Sequence, residues 1–189
     1  MSRDVRDPEV CWYAMRDLSR RHAKFPAYRQ LSEMGLEVFT PMTRRIVTEG
    51  GRRVSREEPF MQDLLFVHES RERLNPVVKG IVNLQYRYTC GGYCKPMVVP
   101  DAEMDRFVRA VRSSRMPLFF RPGEITQEMC GRHVRIIGSA LDGYEGRLLS
   151  VRGSKYRRLL VSLPGFLTAA VEVMPEYVEV LERDKSPGD

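Results

Sequence analysis

The chain has 189 residues, 42% of them hydrophobic, and 31 Lys and Arg against 25 Asp and Glu give a formal charge of +6. Such a chain can bury a real core, so disorder throughout is excluded, and the length admits one domain or two small ones. No apolar run is long enough to span a bilayer, no apolar signal core opens the chain, and four scattered cysteines make no disulfide scaffold; a cytoplasmic protein with reduced thiols and no membrane partner is expected.

The apolar run from Val10 to Met15 predicts a first strand. Pro26 in a first turn and Tyr28, Leu31 and Met34 at helical spacing predict a helix that Gly35 ends. Leu36 to Phe39 begins an extended segment that runs on through Arg44 to Val47. Glu49-Gly50-Gly51-Arg52 reads as a hairpin turn, with a return strand from Val54. Leu64 to Val67 is apolar enough for a central strand buried on both faces. Ser70 can cap a short helix carrying Leu74, Val77 and Val78.

Ile81 to Tyr88 reads as a strand and Gly91-Gly92 as a turn before Pro96 to Pro100. Asp101 then caps a helix whose stripe of Met104, Phe107, Val108 and Val111 is explained by core packing. Pro117, Pro122 and Gly123 punctuate a linker over 113–130, in which Leu118 to Phe120 is expected to pack back on the first domain. From Gly131 onward short strands follow one another, at His133 to Ile137, Arg147 to Arg152, Tyr156 to Leu163, Ala169 to Val173 and Tyr177 to Leu181. Five strands in so short a span suggest a small closed barrel. Gly143 and Gly146 bracket a tight loop, where glycine takes positive φ or lets another backbone come close.

Charge is zoned along the chain. Arg16 to Arg56 holds ten basic and four acidic residues, Gly131 to Leu163 seven and two, and Pro164 to Asp189 two and six. The basic zones are compatible with a polyanionic partner, although single clusters of this kind commonly just face water.

Val134-Arg135-Ile136-Ile137-Gly138, Leu141 to Gly146 and Leu148 to Val151 resemble a KOW motif, in which a strand, a G-x-x-G loop and a second strand sit on an SH3-like barrel. The N-terminal part resembles the NGN domain of NusG-type transcription factors through "CWYAMRD", "EVFTPM", "EPFMQDLLFVH", "VKGIVNLQY" and "PMVVPDAEMDRF", in family order. The continuation "GSKYRRLLVSLPGFLTAAVEV" resembles the specialised UpxY-like paralogues more than the general factor. Pro59 to Val67 departs from the family's "PLFPGYVFV"-like segment in lacking its second Pro, Gly and Tyr, which points to an altered surface there.

The resemblance implies an α+β chain. An N-terminal α/β sandwich of antiparallel sheet and flanking helices over 9–112 is joined by the linker 113–130 to an SH3-like β-barrel over 131–183. It further implies an elongation or antitermination factor that grips the clamp coiled coil of RNA polymerase and suppresses pausing or termination at specific operons. The polymerase-binding patch carried over by position is Arg16, Leu64, Phe66, Leu84 and Tyr86; ordinary core is the competing account of the apolar members. Arg20, Arg21, Lys24 and Arg29 are implied to face DNA at the transcription bubble through phosphate contacts. Gly143, Gly146, Arg147, Lys155 and Arg157 form the loop and basic rim of the barrel, whose implied partners are nascent RNA, a ribosomal protein or a termination factor. A KOW motif alone would equally suit a ribosome-associated or general RNA-binding protein.

No catalytic constellation is present. The three histidines are dispersed, no nucleophile sits in an elbow, and no phosphate-cradling "GxxxxGK" occurs. Cys90 and Cys94 are spaced to chelate zinc, but no second close pair joins them, so no metal and no cofactor are expected.

Overall fold

A computed structural model of the chain describes residues 9–20, 23–91, 94–150 and 156–181. It divides into two compact units between Met104 and Asp105. That division falls inside a helix, Asp101–Ser113 (α3), whereas the sequence points to a boundary at 112.

The first unit is built on an antiparallel sheet. Its strands are Val10–Asp17 (β1), Glu37–Phe39 (β2), Leu65–Ser70 (β5), Leu84–Tyr86 (β6) and Val98–Val99 (β7). The order is β2-β5-β1-β6, with β7 also pairing β1. β1 and β5 have neighbours on both sides, which explains why both are runs of consecutive apolar residues rather than alternating ones. Tyr13, Met15, Leu65, Val67, Leu84 and Tyr86 point to one face, where they pack with Ala27 and Leu31 of helix Ala27–Glu33 (α1) and Leu74 of helix Arg71–Gly80 (α2).

The helix ends follow the sequence signals. Gly35, at φ +77°, closes α1: its N–H donates to Ser32 O and the next, Leu36 N–H, donates back to Leu31 O. Ser70 Oγ accepts from Arg73 N–H at 3.4 Å to cap α2. At α3, Asp101 is already helical and Pro100 O accepts from Glu103 and Met104, so the expected cap stands one residue further along. The expected strand over Ile81 to Tyr88 shrinks to β6, because Ile81 ends α2 and its carbonyl accepts from Leu84 N–H in a turn.

Met42–Glu49 (β3) and Arg52–Pro59 (β4) form a separate two-stranded sheet. Its turn is Gly50-Gly51, both at positive φ, as a two-residue hairpin connection of matching twist requires.

The second unit carries a six-stranded antiparallel sheet. Its members are Leu118–Phe120 (β8), Cys130–Ile136 (β9), Glu145–Leu149 (β10), Arg157–Leu163 (β11), Leu167–Val173 (β12) and Val178–Val180 (β13). The order is β13-β9-β10-β11-β12-β8. Strand alternation sends Leu159, Val161 and Leu163 inward. Two expectations are corrected here. The pairing runs as an open path among the described residues instead of closing into a barrel, and three-residue strands blunt both of its edges. Leu118 to Phe120, read as part of the linker, pairs with Thr168, Ala169 and Ala170 as an edge strand of this sheet.

Candidate functional site

Arg16 lies on β1 opposite Gln85, with Ala14 opposite Phe66 and Met15 opposite Leu65. Directly opposed residues of an antiparallel pair share a face, so Arg16, Gln85, Ala14, Phe66 and Leu64 belong together. Leu84 opposes Asp17 and Tyr86 opposes Met15, which places both on the other face, in the core beneath α1 and α2. The expected five-residue patch is therefore split. Leu84 and Tyr86 are core residues, and the member of β6 that shares the face of Arg16 is Gln85, between them.

On that face Leu64 and Phe66 are fully buried, while the side chain of Arg16 is 49% exposed. Arg16 Nη2 stands 3.9 Å from Asp63 Oδ2, and the same oxygen accepts from Arg87 Nη2 at 2.8 Å. A second bond from Arg87 Nη2 to Asp63 O, at 3.0 Å, fixes the backbone just before Leu64. Two guanidinium groups thus share one carboxylate, leaving a net positive corner with Gln85 exposed beside it.

The basic cluster is carried by the loop between β1 and α1. Asp17, only 5% exposed, accepts from Ser19 N–H through Oδ1 and from Ala27 N–H through Oδ2, each at 2.8 Å. The carboxylate thereby ties the end of β1 to the start of α1. Arg20 and Lys24 stand exposed on the intervening loop, and Arg29 is exposed on α1 with its guanidinium 5.8 Å from the Tyr28 ring centroid. Among the described residues no carboxylate pairs with Arg20, Lys24 or Arg29. Arg21 lies outside the described residues.

In the second unit the two glycines of the loop do different work. Gly143 has φ +76° with open space around it, whereas a Cβ on Gly146 would lie 2.9 Å from the backbone oxygen of Leu160 on the neighbouring strand. Arg147 and Arg157 are exposed; Arg158 is held by Glu172 at 3.1 Å, and Arg135 by Glu145 at 2.6 Å. The hydrogen bond that Arg135 donates to Glu145, reinforced by the carboxylate's charge, raises the pKa of Arg135 further. Lys155 lies outside the described residues. Of the two nearby tyrosines, Tyr144 is buried and its phenol is pushed up by that burial, while Tyr156 is exposed. Stacking surface for bases is correspondingly small.

Among the described residues no group of three His, Cys, Asp or Glu side chains could hold a metal, and no helix is long and apolar enough to cross a membrane.

A family model described as transcription termination factor NusG matches residues 10–108. The chain belongs to the NusG family, whose members are transcription factors without enzymatic activity. A solved structure of Thermotoga maritima NusG, concerned with its domain interaction, is similar at a TM-score of 0.48 and 19% identity, over 92% of this chain and 98% of that one. No curated protein matches the chain.

Proposed function

We propose that the chain binds RNA polymerase and suppresses pausing or termination, as an operon-specific antiterminator of the UpxY-like kind. The observation that carries this reading is the family match over residues 10–108, which spans the sheet bearing Arg16 and the basic loop beside it. The face of Arg16 and Gln85 meets the clamp coiled coil, with Leu64 and Phe66 as its packed floor. Binding there favours the elongating enzyme to the extent that the closed clamp is the better ligand. Arg20, Lys24 and Arg29, with Arg21, contact DNA phosphates at the bubble. The second unit, a KOW domain in this reading, presents Arg147 and Arg157, with Lys155, to nascent RNA, a ribosomal protein or a termination factor.

Transcription in vitro on a template with a strong pause and a terminator tests this directly. Added protein is expected to shorten the pause or raise read-through, and to co-purify with polymerase. Unchanged pausing and termination would overturn the reading, and sedimentation with ribosomal subunits in the absence of polymerase would favour a general RNA-binding role.

A further inference from the structure

The β3–β4 ribbon is not used by the function above. Eight consecutive cross-strand pairs run from Met42↔Pro59 to Glu49↔Arg52, so the ribbon is roughly 25 Å long at about 3.3 Å per residue. It joins neither larger sheet, and nearly every side chain from Arg44 to Glu57 is exposed, Ile46 to 75%. A two-stranded ribbon of this kind gains little from burial. Its exposed surface therefore calls for an occupant.

Register divides its charges between two faces. On one, Arg45 is paired with Glu58 at 2.7 Å and Arg56 with Glu49, beside the apolar pair Val47↔Val54. The same register puts Arg52, opposite Glu49, at the tip of that face. The other carries Arg44, Ile46 and Thr48 from β3 and Arg53, Ser55 and Glu57 from β4. Among the described residues neither Arg44, Arg53 nor Arg52 at the tip is in an ion pair. At the base of the ribbon, Phe60 N–H donates to Pro41 O, and Gln62 Nε2 donates to Ser19 O at 2.8 Å. The ribbon root thus adjoins the loop that carries Arg20.

We propose that the ribbon is a finger for duplex DNA, entering the major groove through the face of Arg44, Ile46, Thr48, Arg53, Ser55 and Glu57. The major groove of B-form DNA admits a two-stranded β-ribbon, and arginine, hydroxyl and aliphatic side chains alternating along it match guanine edges, mixed polar edges and thymine methyls. Arg52 at the turn is placed for a backbone phosphate. The deep, narrow major groove of A-form RNA excludes the same ribbon. A protein partner would have little use for two unpaired arginines flanking one exposed isoleucine unless it were acidic, and the ribbon root adjoins the basic loop that carries Arg20.

The test uses the whole chain and naked nucleic acid without polymerase, so its outcome is independent of the polymerase reading. Binding to a mixed-sequence DNA duplex is measured across salt concentrations for wild type, for Arg44→Gln/Arg52→Gln/Arg53→Gln and for Arg45→Gln, with the same-length single strand and RNA duplex as comparators. The triple variant is expected to lose roughly tenfold or more on duplex DNA and to flatten the salt slope by about 2 to 3, near 0.9 per contact removed. Arg45→Gln, whose charge is already engaged by Glu58, is expected to stay close to wild type. Wild-type affinity in the triple variant, or an equal loss on single strands and RNA duplex, would each overturn the proposal. Thermal unfolding verifies that the variant keeps its fold, and single Arg52→Gln and Arg53→Gln variants, each expected to lose part of the affinity, replace it if it does not.

Discussion

Asp17 Oδ2 accepts the backbone N–H of Ala27, ten residues along the chain, at 2.8 Å, and its other oxygen holds Ser19 N–H. A buried carboxylate thereby closes the loop that displays Arg20 and Lys24. Replacing Asp17 with Ala leaves the Ala27 donor buried without a partner and lengthens the effective loop. A loss of roughly 2–3 kcal/mol is expected, since hydrogen bonds to charged groups and stranded donors each carry costs on that scale. Urea unfolding should show a lower midpoint at unchanged slope. Retention on a nucleic-acid scaffold should fall under conditions where the variant is still folded, because the cations are no longer held together. A variant as stable as wild type would show that the carboxylate is not what closes the loop.

Gly143 and Gly146 should respond in opposite ways to the same small additions. At Gly143 only the positive φ resists a side chain, so Gly143→Ala should cost about 1 kcal/mol and Gly143→Asn less, asparagine tolerating that region best. At Gly146 backbone dihedrals are ordinary and the obstacle is the Leu160 carbonyl at 2.9 Å. Both Ala and Asn there must push β10 off β11, with Asn the worse. Thermal melts of the four variants give the comparison, and a Gly146→Asn melt at or above that of Gly143→Asn would refute the close approach as the constraint.

Leu84 and Arg16 separate packing from binding. Leu84 is 2% exposed in the core under α1 and α2, so Leu84→Ala should cost about 2–5 kcal/mol by leaving a cavity. Arg16→Glu should leave stability within about 0.5 kcal/mol, as exposed changes usually do. In the polymerase-binding reading it nevertheless weakens capture of the enzyme, since it reverses the charge of the corner that Arg16 shares with Arg87. If Arg16→Glu binds polymerase as wild type does while remaining folded, the Arg16 face is not the contact surface.

Much of this architecture could be read from local pattern. Pro26, the Leu31 spacing and Gly35 mark α1; Gly50-Gly51 marks the ribbon turn; the Met104 to Val111 stripe marks α3. What escaped was set by distant partners. Nothing local distinguishes Asp17 as the cap of a helix ten residues away, because its donors are defined only once the loop folds back. The face of β6 hinged on a one-residue register choice, which flips every side chain, and the shortening of the strand to Leu84–Tyr86 removed the alternation that would have fixed it. The prolines and glycine flanking Leu118 to Phe120 read as linker, yet β12 offered an unpaired edge that three residues suffice to cover.

Tyr86 supplies a pH signature of the helix-covered core. Its ring meets Tyr13 edge-on at 5.5 Å, its hydroxyl donates to Asn75 Oδ1 at 3.0 Å, and burial pushes its phenol up to about 12 from 10.0, against a weaker pull downward from Arg71. Tyr13 is raised as well, first by burial and then by its hydrogen bond with Cys11. A raised pKa in the fold means that the unfolded chain gives up its proton first. The contribution of Tyr86 to stability is therefore whole below pH 10 and drains away as pH climbs from there to about 12. Urea midpoints collected across that window should fall for wild type. Tyr86→Phe should begin lower by about 1 kcal/mol through loss of the Asn75 bond, and should then fall less steeply, with Tyr13 carrying the remainder. A Tyr86→Phe profile as steep as that of wild type would place the alkaline sensitivity elsewhere in the molecule.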